Sequence, residues 1–253
     1  MAHAWRVEVD ASLVERIAAA SKLLQRIAND YSPAALASSF GAEDMVLIDL
    51  VAGQRFAVSV FTLDTGRLPE QTHALIEQTR ERYGLPIAVY FPDAARIEKL
   101  TRDHGTNAFF QSVDLRKTCC HARKVEPLRR ALEGKKAWIT GLRRAQSPTR
   151  GDVALESFDA GHGLQKFNPL AHWSERDVWD YLREHAVPYN ALHDQGYASI
   201  GCAPCTRAIT PGEDLRAGRW WWEDAQTKEC GLHPAATVPI VVRAPREPAG
   251  AAR

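Results

Sequence analysis

Four short apolar runs punctuate the first 142 residues: "PAALASSF" (33–40), "FAVSVFTL" (56–63), "PIAVYFP" (86–92) and "KAWITGL" (136–142). Each is rich in β-branched or aromatic residues and too short for a helix. Between them lie helical stretches around 43–53, 69–83, 94–104 and 124–134. Strands that alternate with helices have one common solution. Parallel strands need crossover connections, and the crossovers place helices on both faces of the sheet. The expected fold class is therefore α/β, a parallel twisted sheet of Rossmann-like architecture. Ligands in such sheets bind outside the carboxyl ends of the strands. Those ends read "SSFGAED", "LDTGRLPE" and "TGLRRAQSPTR", all polar and all containing glycine.

Flanking elements are less regular. Residues 10–30 carry Leu13, Ile17, Leu24 and Ile27 at helical spacing and predict an amphipathic helix. "SERDVWDYLREHAVP" has Ser174 as an N-cap and Pro188 as a stop, which predicts another. The stretch from 189 to 224 is rich in turn residues and aromatics and has no assignable period. The Pro- and Ala-rich end, 234–253, reads as a partly disordered tail behind one domain covering 1–233.

A charged content of 25% and a net charge of +1 exclude a global field that would attract nucleic acid or an anionic membrane, so any basic site must be local. The start of the chain lacks the basic n-region and unbroken apolar run of a signal peptide, and no stretch reaches the length of a membrane span. A cytoplasmic protein is expected. Thiols stay reduced there, so five cysteines point to metal ligation or catalysis rather than disulfides.

The cysteines fall into pairs with one remainder. Cys119 and Cys120 are adjacent in "KTCCHARK", Cys202 and Cys205 form a C-x-x-C in "IGCAPCTR", and Cys230 stands apart in "TKECGLH". Four thiolates are the number that holds a tetrahedral zinc or an iron–sulfur cluster. A zinc ribbon prefers two C-x-x-C knuckles, and a thioredoxin-type redox pair belongs at a helix start after a strand. Separate buried thiols are a further reading, opposed by Lys117, Arg123, Lys124 and Arg207 nearby, which suit an anionic site.

Ser38, Ser39 and Gly41 precede a helix starting near Glu43, and amides at a helix start bind phosphate-like oxygens. The loop is neither G-x-x-x-x-G-K-[ST] nor G-x-G-x-x-G. Arg143, Arg144 and Arg150 follow a strand, and Arg216 and Arg219 would share a helix face before Trp220, Trp221 and Trp222. Arginine forks match phosphate or sulfate oxygens. Three exposed tryptophans would be costly, so an interface or a site cover is expected.

Taken in order, "SFGAED", "LDTGRLPEQT", "KTCCHARKVEPL", "ITGLRRAQSPTR", "FNPLAHWSERDVWDYL", "VPYNALHDQGYASIGCAPCTR", "GEDLRAGRWWWE" and "KECGLH" resemble the assimilatory adenylyl-sulfate (APS) reductases and their phosphoadenylyl-sulfate (PAPS) relatives, over about residues 38–233. The resemblance implies an adenine nucleotide α-hydrolase-like fold. It implies a [4Fe–4S] cluster on Cys119, Cys120, Cys202 and Cys205, and a catalytic Cys230 on a mobile C-terminal segment. It also implies a substrate site of Ser38, Ser39, Gly41, Leu63, Lys124, Gly141, Arg143, Arg150, Arg216, Arg219 and His233, with Leu63 and Gly141 at the nucleoside. The expected reaction reduces APS to sulfite and AMP, with thioredoxin or glutaredoxin as thiol donor and a homo-oligomer, dimer or tetramer, left open. The full cysteine set favours APS over PAPS or dual specificity. Phe40 stands where related ATP pyrophosphatases, with S-G-G-x-D-S loops, carry glycine. That departure speaks against an ATP-dependent tRNA-thiolating enzyme; a zinc-stabilised binding module is the rival from another class.

Overall fold

A computed structural model describes residues 11–146, 150–224, 228 and 232. The elements in chain order are α1 (Ala11–Asp30), β1 (Ala34–Ser38), α2 (Ala42–Gly53), β2 (Val58–Leu63), α3 (Glu70–Tyr83), β3 (Ile87–Tyr90), α4 (Ala94–His104), α5 (Val113–Cys120), a π-helical turn (His121–Val125), α6 (Glu126–Ala131), β4 (Ala137–Ile139), β5 (Glu156–Asp159), β6 (Leu164–Phe167) and α7 (Glu175–Glu184). The six strands form one sheet in the order β3-β2-β1-β4-β6-β5, parallel except for β5 against β6.

Alternation along the strands sends side chains to two cores. Leu36 and Ile139 join α1, α2, α3 and α7 in one, while Ala35, Phe61 and Trp138 pack with Leu128, Ala131 and Leu132 of α6 in the other. Both sheet faces are thus covered, and the adjoining strands β1 and β4 are apolar apart from the terminal Ser38 of β1, as strands covered on both faces are. The chain runs outward from β1 to β3, then returns to place β4 on the other side of β1. A switch point therefore lies between β1 and β4, where such sheets open a crevice.

Two expectations need correction, and one hairpin had no counterpart among them. The helix expected over 124–134 is only the end of a longer run: α5 and the π turn precede it, with Ser112 capping α5 through Leu115 N. The β5–β6 hairpin was not foreseen, because "ESFD" and "LQKF" are polar and the antiparallel edge they form has little apolar signal. Arg216 and Arg219 do not share a helix face. Their segment is a chain of turns broken by Gly212 and Gly218, and no Cβ fits at Gly218, where it would overlap the Arg207 carbonyl.

Candidate active site

A cleft of about 250 Å³ opens at the carboxyl ends of β1, β2 and β4. All ten expected substrate residues that are described line it: Ser38, Ser39, Gly41, Leu63, Lys124, Gly141, Arg143, Arg150, Arg216 and Arg219. Cys230 and His233 lie outside the described residues, but their neighbours Lys228 and Leu232 are placed. Leu232 lines the cleft, and the Lys228 carbonyl accepts from Arg216 Nη2 at 2.9 Å.

The β1–α2 loop is closed on itself. Ser38 Oγ accepts from Phe40 N, and both the amide and the hydroxyl of Ser39 donate to Asp44 Oδ2, at 2.6 and 2.8 Å. Burial pushes the Asp44 carboxyl up to about 6, against the pull of the Ser39 and Gly141 amides. The Ser39 donors expected for phosphate-like oxygens are therefore already taken by a carboxylate of the same chain. Phe40 adopts φ 59°, the left-handed region that glycine favours, and its ring is fully buried in the core. Core burial of the ring holds the loop in a backbone shape that a glycine would reach without strain. Gly141 is needed for a different reason: a Cβ there would overlap Asp44 Oδ1 and come within 2.9 Å of Glu43 Cβ.

Cations crowd one side. Arg150 Nη1 donates to Gln146 Oε1 at 2.5 Å, and Arg219 Nη1 donates to Ser199 Oγ and the Ile200 carbonyl, both at 3.3 Å. The Arg219 guanidinium lies 4.7 Å from the centre of the buried Trp220 ring. Arg143 is the exception, since its Nε and Nη2 hold Glu43 Oε1 at 2.8 and 2.7 Å and its Nη1 reaches the Trp173 carbonyl. Sequence reasoning missed Glu43, Asp44, Glu175 and His193 as cleft residues. The first two sit inside the quoted "SFGAED", and His193 inside "NALHDQGY", but neither pattern states a chemistry.

His193 Nδ1 lies 2.8 Å from the Tyr197 carbonyl, which can only accept, so Nδ1 carries the proton. Nε2 is buried without a hydrogen-bond partner among the described residues. The ring packs edge-on against Trp179, and burial lowers its pKa.

Behind the cleft, Cys119, Cys120, Cys202 and Cys205 line one small cavity together with Arg67, Phe109, Arg116, Arg123 and Lys124. Two expected neighbours are absent from it: Lys117 is exposed, and Arg207 is paired with Glu213 at 2.7 Å. Arg67 and Arg116 take their places. The π turn carries Lys124 one turn beyond Cys119 and Cys120, and Lys124 lines both cavities. Trp220 buries the cysteine cluster, and Trp222 packs against it, while Trp221 stays exposed. Cys205 is pushed up to about 12 by burial and by the charges of Cys202 and Cys120. Burial also raises Cys119, whereas Lys124, Thr65 and Arg219 outweigh burial at Cys202 and lower it. Thiols this close resist joint ionisation unless a positive centre sits among them. Arg123 Nε, buried and without a hydrogen-bond partner among the described residues, is a spare donor for an anionic group there. No group of three or more His, Cys, Asp or Glu among the described residues is gathered tightly enough for a single metal ion. Four thiols lining one basic cavity are a set that an iron–sulfur cluster, which takes one thiolate per iron, could use.

A mostly parallel sheet with a nucleotide-sized cleft at its switch point defines an α/β protein of the adenine nucleotide α-hydrolase-like class. Solved structures share that fold: a phosphoadenylyl-sulfate reductase from Candida auris in a phosphate complex (TM-score 0.65, 24% identity, 80% of this chain and 99% of that one) and an FMN adenylyltransferase from Candida glabrata with ATP (TM-score 0.59, 16% identity, 91% and 81%). Residues 33–208 match the phosphoadenosine phosphosulfate reductase domain, and the chain belongs to that family. Among its relatives, the adenosine 5'-phosphosulfate reductase of Allochromatium vinosum is 53% identical over 88% of this chain and 87% of its own, and that of Burkholderia cepacia is 50% identical over 92% of each. No helix among the described residues is long and apolar enough to cross a membrane.

Proposed function

We propose that this chain reduces adenosine 5'-phosphosulfate to sulfite and AMP in assimilatory sulfate reduction, using thiols of thioredoxin or glutaredoxin in the cytoplasm. The observation that carries the reading is the cleft itself. It gathers Lys124, Arg150, Arg216 and Arg219 beside Leu63 and Gly141, with Lys228 and Leu232, the residues flanking Cys230, at its rim. The relatives named above add their weight.

In the proposed reaction the Cys230 thiolate attacks the sulfur of the phosphosulfate. A Cys230 S–S bond forms, the S–O bond to phosphate breaks, and AMP departs with that electron pair. Lys124, Arg150, Arg216, Arg219 and His233 stabilise the charge gathering on the leaving phosphate. A thiolate of the carrier then attacks Cys230 Sγ, and sulfite leaves with the electrons of the S–S bond. The carrier's second thiol resolves the mixed disulfide, returning Cys230 reduced and the carrier oxidised. Ser38, Ser39 and Gly41 shape the nucleotide wall. Residues 1–233 act as one domain, with 234–253 as its tail.

Cys119, Cys120, Cys202 and Cys205 would hold the [4Fe–4S] cluster, which when bound supplies a compact anionic charge facing Lys124. The closed loop at Ser39 and Asp44 disfavours ATP pyrophosphate chemistry, because both Ser39 donors are held by a carboxylate of the same chain.

The test uses protein purified without oxygen. Wild type is expected to carry about four irons per chain and to release sulfite from adenosine 5'-phosphosulfate when a dithiol carrier is present. Cys230→Ser should keep its iron and lose AMP release. Normal AMP release from that variant would remove Cys230 as the nucleophile, and a zinc-containing wild type that releases no sulfite would overturn the reading.

A further inference from the structure

The cleft is electrically two-ended. Lys124 and Arg219 line it at the end next to the cysteines, where Lys124 also lines the cysteine cavity. At the other, the charges that act on His193 come from Glu43, Asp194 and Glu175, and all three are carboxylates. Glu43, Glu175 and His193 line the cleft there, where α2 and α7 pack together. Each offers an acceptor. Glu43 Oε1 is held by Arg143, which leaves Oε2 without a hydrogen bond among the described residues. His193 Nε2 has its lone pair buried and unpartnered, with the tautomer fixed by the Tyr197 carbonyl. Glu175 is in the first turn of α7. Arg143 cancels the charge of Glu43, with which it pairs, so the net negative charge at this end comes from Glu175 and Asp194, while Glu43 still offers Oε2 as an acceptor.

A wall of acceptors is a poor place for a phosphate, which brings only acceptors and negative charge. It suits a group that brings donors. On a nucleotide, the donors free of the reacting phosphosulfate are the ribose hydroxyls and the adenine amine, and the nucleoside is expected at Leu63 and Gly141, the second of which lies against the Glu43 side chain. A carboxylate that reads ribose hydroxyls and turns away an esterified sugar is the device by which dinucleotide folds separate the two cofactor forms. Here we propose that Glu43, Glu175 and His193 accept hydrogen bonds from the ribose hydroxyls and exclude a 3'-phosphate, which makes them the residues that select adenosine 5'-phosphosulfate over its 3'-phosphorylated form. This rests on the reductase reading and names the specificity elements of the same site.

The experiment compares ligand pairs on the same protein, so that any loss of folded fraction cancels in the ratio. AMP and adenosine 3',5'-bisphosphate are titrated calorimetrically into wild type, Glu175→Gln and the double variant Glu43→Gln/Glu175→Gln. Sulfite release from adenosine 5'-phosphosulfate and 3'-phosphoadenosine 5'-phosphosulfate is followed in parallel. Wild type is expected to favour the unesterified partner of each pair by more than roughly tenfold, the scale set by leaving buried polar groups unpaired. The double variant should shrink both ratios by roughly tenfold, with Glu175→Gln in between. Ratios unchanged by the substitutions, or a wild type that takes both members of a pair equally, would overturn the assignment. Sulfite from neither nucleotide in iron-replete wild type would instead overturn the reductase reading, and this account of its substrate with it.

Discussion

Burial keeps Asp44 protonated at a pH where an exposed aspartate is ionised, with its carboxyl moved from 3.8 to about 6. The folded state then binds more protons than the unfolded one between those values. The stability this contributes is complete below pH 4 and is lost as pH rises through 6, about 3 kcal/mol in all. Asp44→Asn cannot titrate and keeps an acceptor for Ser39. Its stability relative to wild type, from urea unfolding at pH 4, 5, 6 and 7, is expected to rise by about that amount across the interval. A flat difference would show that the three donors hold Asp44 ionised throughout. Gly141→Ala should weaken AMP binding at least tenfold and cost roughly 1–3 kcal/mol, because its methyl meets the Asp44 and Glu43 side chains. At this scale the sequence was unevenly legible. Cysteine pairing needs only counting, and all four paired cysteines meet at one cavity. His193 carries no spacing signal: its role as an acceptor follows from a carbonyl four residues on and from an absent partner, and neither is written in a pattern.

Helix α5 presents Cys119 and Cys120 from its last turn, and its other anchor is Arg116. That guanidinium is fully buried and pairs with Glu223, itself 3% exposed, through Nε at 2.9 Å and Nη2 at 2.7 Å. The pair ties the first cysteine segment to the tryptophan-rich turns that cover the second. Arg116→Met leaves a buried carboxylate without its cation and should destabilise by about 3–5 kcal/mol, with iron lost on purification. Arg116→Met/Glu223→Leu should recover part of the stability in the same urea titration, because both members of the buried pair are removed together. At α7, Ser174 and Asp177 form a reciprocal capping box, and Asp177 also pairs with Arg16 of α1. Ser174→Ala is expected to cost about 1 kcal/mol by thermal unfolding. Caps and periodicity made α1 and α7 readable in advance. The π turn was not, because one extra residue in a turn leaves the composition unchanged, and the β5–β6 edge was not, because a solvated hairpin needs few apolar residues.

For the whole molecule, strand alternation alone placed the cleft, since a parallel sheet whose chain doubles back must open between the strands where it turns. The same alternation says nothing about which loop amides are already engaged, so the internal Ser39–Asp44 closure emerged only from coordinates. A ligand filling the crevice binds only the folded chain. AMP at one hundred times its dissociation constant should therefore stabilise by about 2.7 kcal/mol, raising the melting temperature by roughly 5–10 °C in a calorimetric scan. No shift at saturating AMP would show that the folded chain does not bind the nucleotide.

The four thiols that share a cavity come from opposite ends of the fold's assembly. Cys120 leaves the ribosome roughly 80 residues ahead of Cys202, and β4, β5, β6 and α7 are all made in the interval. At cellular synthesis rates that is about 4–16 seconds during which the first pair waits without the second. The basic residues Arg67, Arg116, Arg123 and Lys124 favour the thiolate, the form that oxidises, so over that time the pair depends on early delivery of iron or on reduction by surrounding thiols. Maturation of this chain is thus ordered in time by its topology: the cradle closes only when the last strand and helix have been laid down.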